Sequence, residues 1–96
     1  MKHLILVIAL TFTANAVDMN KMAKLRKKAM NHQERAVKAF DSKKYTKCYF
    51  EAINGLNVVY RMGVEAIGND KLTAQVHKME YGFNGIKDIC EKLGGL

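Results

Sequence analysis

The sequence predicts an all-α protein, a small antiparallel bundle of three helices. Proline is absent from all 96 residues. Good helix formers such as Ala, Lys, Leu, Met and Glu are abundant after residue 16. Turn signals interrupt this composition at only two interior places, "DSKK" at 41–44 and "IGND" at 67–70. Two turns divide the chain into three helical segments.

The first sixteen residues have the three parts of a secretory signal peptide. Lys2 supplies the positive charge, residues 4–12 form the apolar run, and "ANA" at 14–16 is a small-residue cleavage site. The apolar run is too short for a membrane span, which needs about 20 residues. We therefore expect cleavage after Ala16, export to the periplasm or the exterior, and one mature domain over residues 17–96.

The positive charge is concentrated in one part of the mature chain. Without Lys2, fifteen basic and nine acidic residues remain, which is a net charge of +6. Ten of the basic residues and only two acidic ones lie between residues 21 and 47. In residues 48–96 the numbers of basic and acidic residues are nearly equal. The first helix, with its excess of positive charge, is therefore the leading candidate for a binding surface.

The first helix is expected over about 20–41, with Asn20 as its N-cap. At about 100° per residue, one of its faces is apolar and contains Met22, Leu25, Ala29, Ala36 and Phe40. The opposite face is the candidate site for an acidic partner or an anionic surface, and it contains Lys24, Lys27, Lys28, Arg35 and Lys38. The alternative is a solvated surface that binds nothing.

The second helix is expected over about 43–67, with Ser42 as its N-cap and Gly68 in the left-handed position after its end. It is apolar over more of its circumference than an outer helix needs. Such a helix either lies at the centre of a bundle and contacts both neighbours, or presents part of its surface to a partner. The sequence favours the central position and leaves the other alternative open.

The third helix is expected over about 70–93 and folds back on the second helix about Asn69. Cys48 and Cys90 each lie 21 residues from Asn69, so antiparallel helices bring them level, both on apolar faces. Export to an oxidising compartment favours a disulfide between them, with intermolecular pairing or two buried thiols as the alternatives. In the chain-entropy model the bridge stabilises the fold by about 3–4 kcal/mol.

Two Asn-Gly pairs with apolar flanks, at 54–55 and 84–85, resemble β-hairpin turns. The flanking residues do not alternate as those of half-buried strands do, so we prefer the helical interpretation. Helical projection places Asn54 and Asn84 toward solvent, and Gly63 and Gly82 on the apolar faces. We therefore expect the two pairs to form a polar outer surface without contact between them.

Residue types used in catalysis and metal binding occur singly in this chain. His32 and His77 have no second ligand at the spacing of HxxxH or HExxH, and Ser42 is the only serine. The sequence has no CxxC and no glycine-rich phosphate loop. We expect no enzymatic activity, no cofactor and no bound metal. Nucleic-acid binding is not expected either, because no aromatic residues alternate with the lysines as a stacking platform requires.

The sequence thus predicts an exported binding protein that acts through protein–protein contacts, as an adaptor, an inhibitor or a chaperone-like accessory factor. A net charge of +6 suits a partner with an acidic surface. The alternative is a protein that binds anionic lipid or lipopolysaccharide at the envelope surface through its basic first helix.

Overall fold

The computed structural model describes residues 17–96, and the predicted signal peptide lies outside these residues. Three helices account for nearly all of the described chain: α1 (Met19–Asp41), α2 (Tyr45–Glu65) and α3 (Asp70–Gly94). Residues 17–96 contain no strand. The all-α three-helix prediction is confirmed. α2 is the central helix, because α1 and α3 both pack against it and scarcely contact each other.

The N-terminal caps of α1 and α2 differ from the predicted ones. α1 is capped by Asp18 instead of Asn20, and the Asp18 carboxylate accepts a hydrogen bond from the backbone N–H of Lys21. Ser42 does not cap the second helix, because it is the last residue of the α1 cap. α2 begins two residues later than predicted, and no side chain caps it.

A Schellman motif explains why Ser42 belongs to α1. The N–H of Lys44 donates to the carbonyl of Ala39 at 2.8 Å, and the N–H of Lys43 donates to that of Phe40 at 2.9 Å. Lys43 occupies the left-handed position with φ 59°, where glycine is the usual residue. This motif ends α1 and directs the chain into α2 within three residues.

α2 also ends earlier than predicted, at Glu65, and the turn to α3 contains Gly68 with φ 89°. Asn69 is the N-cap of α3, as predicted, and its side chain accepts a hydrogen bond from the N–H of Leu72 at 3.0 Å. At the other end of α3, Gly95 has φ 67° in a second left-handed cap. The α2–α3 turn therefore combines a left-handed glycine with a side-chain cap.

The seam between α1 and α2 follows a heptad pattern rather than the straight 3.6-residue projection. The buried residues of α1 are Met22, Leu25, Ala29, Ala36 and Ala39. The spacings along this set are three, four, seven and three residues, which fit the seven-residue repeat of left-handed supercoiled helices. Because the buried positions follow this shorter repeat, the core face at the end of α1 contains Ala39, and Phe40, which was predicted for the core face, is exposed.

The predicted disulfide is confirmed. Cys48 and Cys90 are bonded and completely buried, and their Cα atoms are 6.0 Å apart. The bridge joins the start of α2 to the end of α3 and packs against Ala36 and Ala39 of α1. It therefore stabilises the end of the bundle at which all three helices meet around small side chains.

One residue of the two Asn-Gly pairs departs from the predicted polar outer surface, because Gly55 is buried against Phe83, the residue before the second pair. A Cβ atom added to Gly55 would lie 2.6 Å from Cζ and 2.8 Å from Cδ1 of Phe83, so only glycine fits against that ring. Gly82, predicted for an apolar face, is exposed with open space around it, and Asn84 is half-buried. α2 and α3 thus approach each other closely at Gly55 and Phe83.

Candidate binding surfaces

The predicted cationic residues of α1 do not form one uniform stripe. Lys24 and Lys28 lie beside α2 and line a depression of about 530 Å³ together with Arg61. Lys27 is exposed on the outer side of α1. Among the described residues, no ion pair involves Lys24, Lys27 or Lys28. These three lysines therefore remain available for an anionic ligand.

The other two predicted residues, Arg35 and Lys38, are held in ion pairs. Nε of Arg35 donates to Oε2 of Glu51 at 3.2 Å, and Nζ of Lys38 lies 3.6 Å from Oε1 of Glu34. Arg35 and Lys38 also line a second depression of about 200 Å³ between α1 and α2, with Lys44 and Lys47. The cations at this end come from both helices.

The structure adds three residues of α2 and its leading turn to the predicted set. We call the combined surface along the α1–α2 junction the basic seam: Lys24, Lys28, Arg35, Lys38, Lys44, Lys47 and Arg61. Sequence analysis missed the last three because it considered each helix alone. The spacing of Lys44 and Lys47 was a usable signal, since residues three apart share a helix face.

The acidic groups near the basic seam are already neutralised by neighbouring cations. Oε1 of Glu65 lies 2.7 Å from Nζ of Lys21. Glu51 accepts from His32 Nδ1 at 2.8 Å and from Arg35. The hydrogen bond from His32, together with the bond and charge of Arg35, holds the pKa of Glu51 below its usual value, although partial burial opposes this shift. The seam therefore keeps a positive potential.

A second surface is the groove between α1 and α3, which we call the α1–α3 groove. It exists because both helices pack on α2 and scarcely contact each other. At one end it widens into a cavity of about 460 Å³ with four methionines in its lining: Met19, Met22, Met62 and Met79. At the other end Val37, Phe40, Ile86 and Ile89 line a smaller cavity of about 110 Å³.

The α1–α3 groove is apolar within and cationic at its rim. Arg26 and Lys78 are the only charged residues that line its two cavities. Four of the twelve large hydrophobic residues that are exposed in the described chain line the cavities of this groove: Met19, Val37, Phe40 and Ile89. Contiguous exposed apolar surface of this kind marks an interaction site more often than scattered residues do.

The end of the bundle at the α1–α2 turn combines lysines with exposed apolar side chains. Lys43, Lys47, Phe50 and Leu93 line a shallow depression there. Phe50 is 56% exposed and Leu93 53% exposed, so both contact solvent over most of their surface. Aromatic and aliphatic groups beside lysines are typical of surfaces that insert into the headgroup region of anionic membranes.

The described residues contain no group of three or more His, Cys, Asp or Glu side chains arranged to hold a metal ion. His77 is exposed and lies 3.7 Å from Glu80 of the same helix. His32 is half-buried in the ion-pair cluster with Glu51. Within residues 17–96, no helix combines the length and apolarity required to span a bilayer.

Fold and surfaces define a small helical bundle with an intramolecular disulfide, a basic seam and an open apolar groove. No protein-family model, curated protein or solved structure matches this chain. The disulfide is typical of proteins in oxidising compartments, outside the cell or in the periplasm.

Proposed function

We propose that this protein is exported, after cleavage of the signal peptide at Ala16, and acts without catalysis by binding a protein with an acidic surface. The observation that carries the proposal is the basic seam, to which two helices contribute seven cations and in which the nearby acids are paired. A concentrated field of one sign accelerates the encounter with an oppositely charged partner. An adaptor, inhibitor or chaperone-like accessory factor of the periplasm or the exterior fits these properties.

The basic seam supports this proposal more strongly than the net charge alone. Lys24, Lys28 and Arg61 line one concave surface, so a convex acidic feature of a partner would meet cations from two helices at once. The helices themselves are fixed by core packing and, near Cys48, by the disulfide. A preorganised surface loses less conformational entropy on binding than a flexible one does.

The test compares two double variants with the same change of charge. Lys24→Ala/Lys28→Ala removes two cations from the basic seam, whereas His77→Glu/Tyr81→Glu adds two negative charges at exposed positions of α3 that line none of the depressions described above. The mature oxidised protein is immobilised, exposed to envelope extract and eluted with increasing salt, and the eluted partner is identified and its association rate measured.

We expect the seam variant to lower the association rate about tenfold and the α3 variant to leave it within about twofold, because association responds to local charge. Unchanged thermal unfolding of both variants serves as the folding control. Equal effects of the two variants would contradict the role of the seam, and the absence of any salt-sensitive partner would contradict the proposal as a whole.

A second candidate function is direct binding to an anionic membrane surface. The lysines and exposed apolar side chains at the α1–α2 turn favour it, since Phe50 and Leu93 lie beside Lys43 and Lys47. Vesicles containing phosphatidylglycerol should then retain the protein at low salt and lose it when Phe50 is replaced by Ser. Failure to bind such vesicles at low ionic strength would exclude this function.

A further inference from the structure

By helical position, two parallel rows of residues border the α1–α3 groove. On α1 the row has spacings of three and four residues: Met19, Ala23, Arg26, Met30, Gln33, Val37 and Phe40. On α3 the corresponding row is Leu72, Gln75, Met79, Gly82, Ile86, Ile89 and Leu93. Both rows lie beside the seams that pack on α2 and continue from one end of the bundle to the other.

The direction and length of the groove suit a helix. α1 and α3 both run antiparallel to α2 and are therefore parallel to each other, as the diagonal helices of an alternating four-helix bundle are. The α1 row from Met19 to Phe40 extends for about 32 Å at 1.5 Å per residue. An amphipathic helix of three heptads has this length, and its apolar side would complete a fourth position in the bundle.

The charge at the rim of the α1–α3 groove indicates which kind of helix would bind there. Arg26 and Lys78 line the larger cavity. By helical position, the rims continue with Lys27 on α1 and with Lys71 and Lys92 on α3, whereas the acids at this level are Glu34 and Asp41 of α1. Glu34 is paired with Lys38. A helix with acidic flanks would neutralise these cations.

A second copy of this chain is a poorer occupant than an acidic helix. A symmetric dimer through the groove would bring the cationic rims of both copies together, and like charges across an interface cost several kcal/mol. The four methionines in the larger cavity favour helical ligands, because flexible thioether side chains adapt to different apolar surfaces.

We propose that the α1–α3 groove binds an acidic amphipathic helix of a partner protein as the fourth helix of the bundle. This inference goes beyond the proposed function, because it depends on the groove and not on the basic seam. A negative result for the basic seam therefore leaves the groove proposal unchanged, and a negative result for the groove leaves the basic-seam proposal unchanged.

Gly82 offers a sharp test, since it lies in the middle of the α3 row and a Cβ atom there meets no other atom within 4 Å. Gly82→Glu would place a negative charge inside the groove without a steric clash. Tyr81→Glu is the control, because Tyr81 is 84% exposed, lines neither cavity of the groove and lies about 100° around the helix from Gly82. Both variants lower the net charge by one.

The probe is a fluorescent 21-residue peptide with Leu at heptad positions a and d and Glu at e and g. Its counterpart carries Lys in place of Glu. We expect saturable binding of the acidic peptide to the mature oxidised protein by fluorescence anisotropy, and binding of the basic peptide at least about tenfold weaker. Gly82→Glu should weaken binding of the acidic peptide about tenfold, which corresponds to about 1.4 kcal/mol, and Tyr81→Glu should weaken it less than about twofold.

Three results would overturn the proposal. The first is equal binding of the two peptides, or an equal effect of Gly82→Glu and Tyr81→Glu on binding of the acidic peptide. The second is a dimer in sedimentation velocity that Gly82→Glu dissociates, because a second copy would then occupy the groove. The third is binding of sodium laurate that Gly82→Glu abolishes, together with no binding of the acidic peptide. A fatty acid, and not a helix, would then occupy the groove. Peptide binding that persists in Lys24→Ala/Lys28→Ala supports a groove independent of the basic seam.

Discussion

Replacing Gly55 by Ala tests the central packing contact of the fold. Gly55 is buried in the middle of α2, and Phe83, which is 2% exposed, lies directly against it. Alanine would place its Cβ less than 3 Å from three atoms of the aromatic ring. Because the ring is enclosed by the core, it has no solvent-exposed position to which it can retreat.

Two opposing effects decide the result of Gly55→Ala. Alanine favours a helix over glycine by about 1 kcal/mol, whereas overpacking of a core costs about 1–3 kcal/mol. Gly85→Ala gains the same propensity at a position where nothing lies within 4 Å of the new Cβ. The difference between the two variants therefore isolates the packing cost, and we expect Gly85→Ala to be more stable by about 1–3 kcal/mol.

Thermal unfolding of the oxidised mature protein, followed by far-UV circular dichroism, measures this difference. Each kcal/mol corresponds to about 4–8 °C in Tm for a domain of this size. A third variant, Gly55→Ala/Phe83→Leu, tests the mechanism, because in the Phe83→Leu background the added methyl group should be tolerated. If Gly55→Ala raises Tm as much as Gly85→Ala does, the close approach of Gly55 to Phe83 is refuted.

Three further predictions concern stability. Replacing Cys48 and Cys90 by Ala should cost about 4 kcal/mol, since the bridge closes a loop between residues 42 positions apart, and an unchanged urea midpoint would contradict this. Glu51 has a lowered pKa, so its stabilisation is complete above its unfolded value of about 4.5 and is lost as the pH falls through the lower folded value. Glu51→Gln should cost about 1–3 kcal/mol at pH 7 and flatten this acid dependence of urea unfolding, whereas a parallel pH profile would rule out its role. Lys43→Gly should raise Tm, because a left-handed non-glycine residue costs about 1–2 kcal/mol, and a lower Tm would refute the strain at the α1 cap.

The positions of the three helices were predictable because the responsible interactions are local. Asn69 caps α3 through a contact with the third residue after it, and such short-range patterns are visible in a sequence. The start of α2 was misplaced because the Schellman motif at Lys43 uses backbone hydrogen bonds and a left-handed lysine. This motif is usually recognised in a sequence by a glycine in the left-handed position, and here that position is a lysine.

The basic seam was predictable only in part. The cations of α1 follow from the helical period, but the contribution of Arg61 depends on how α2 is rotated against α1. That rotation is set by the heptad seam, which also determines that Arg35 is held by Glu51. A projection of one helix contains no information about the charges that a neighbouring helix brings to the same surface.

The sequence by itself determined the helical class, the concentration of positive charge in the first helix and the pairing of Cys48 with Cys90. These properties follow from composition, from the helical period and from equal distances along two antiparallel helices. Only the tertiary structure decided that Gly55 meets Phe83 and that α1 and α3 stay apart with an open apolar groove between them. The spacing between helices depends on side chains from all three at once, and this cooperative packing is not encoded in any single segment.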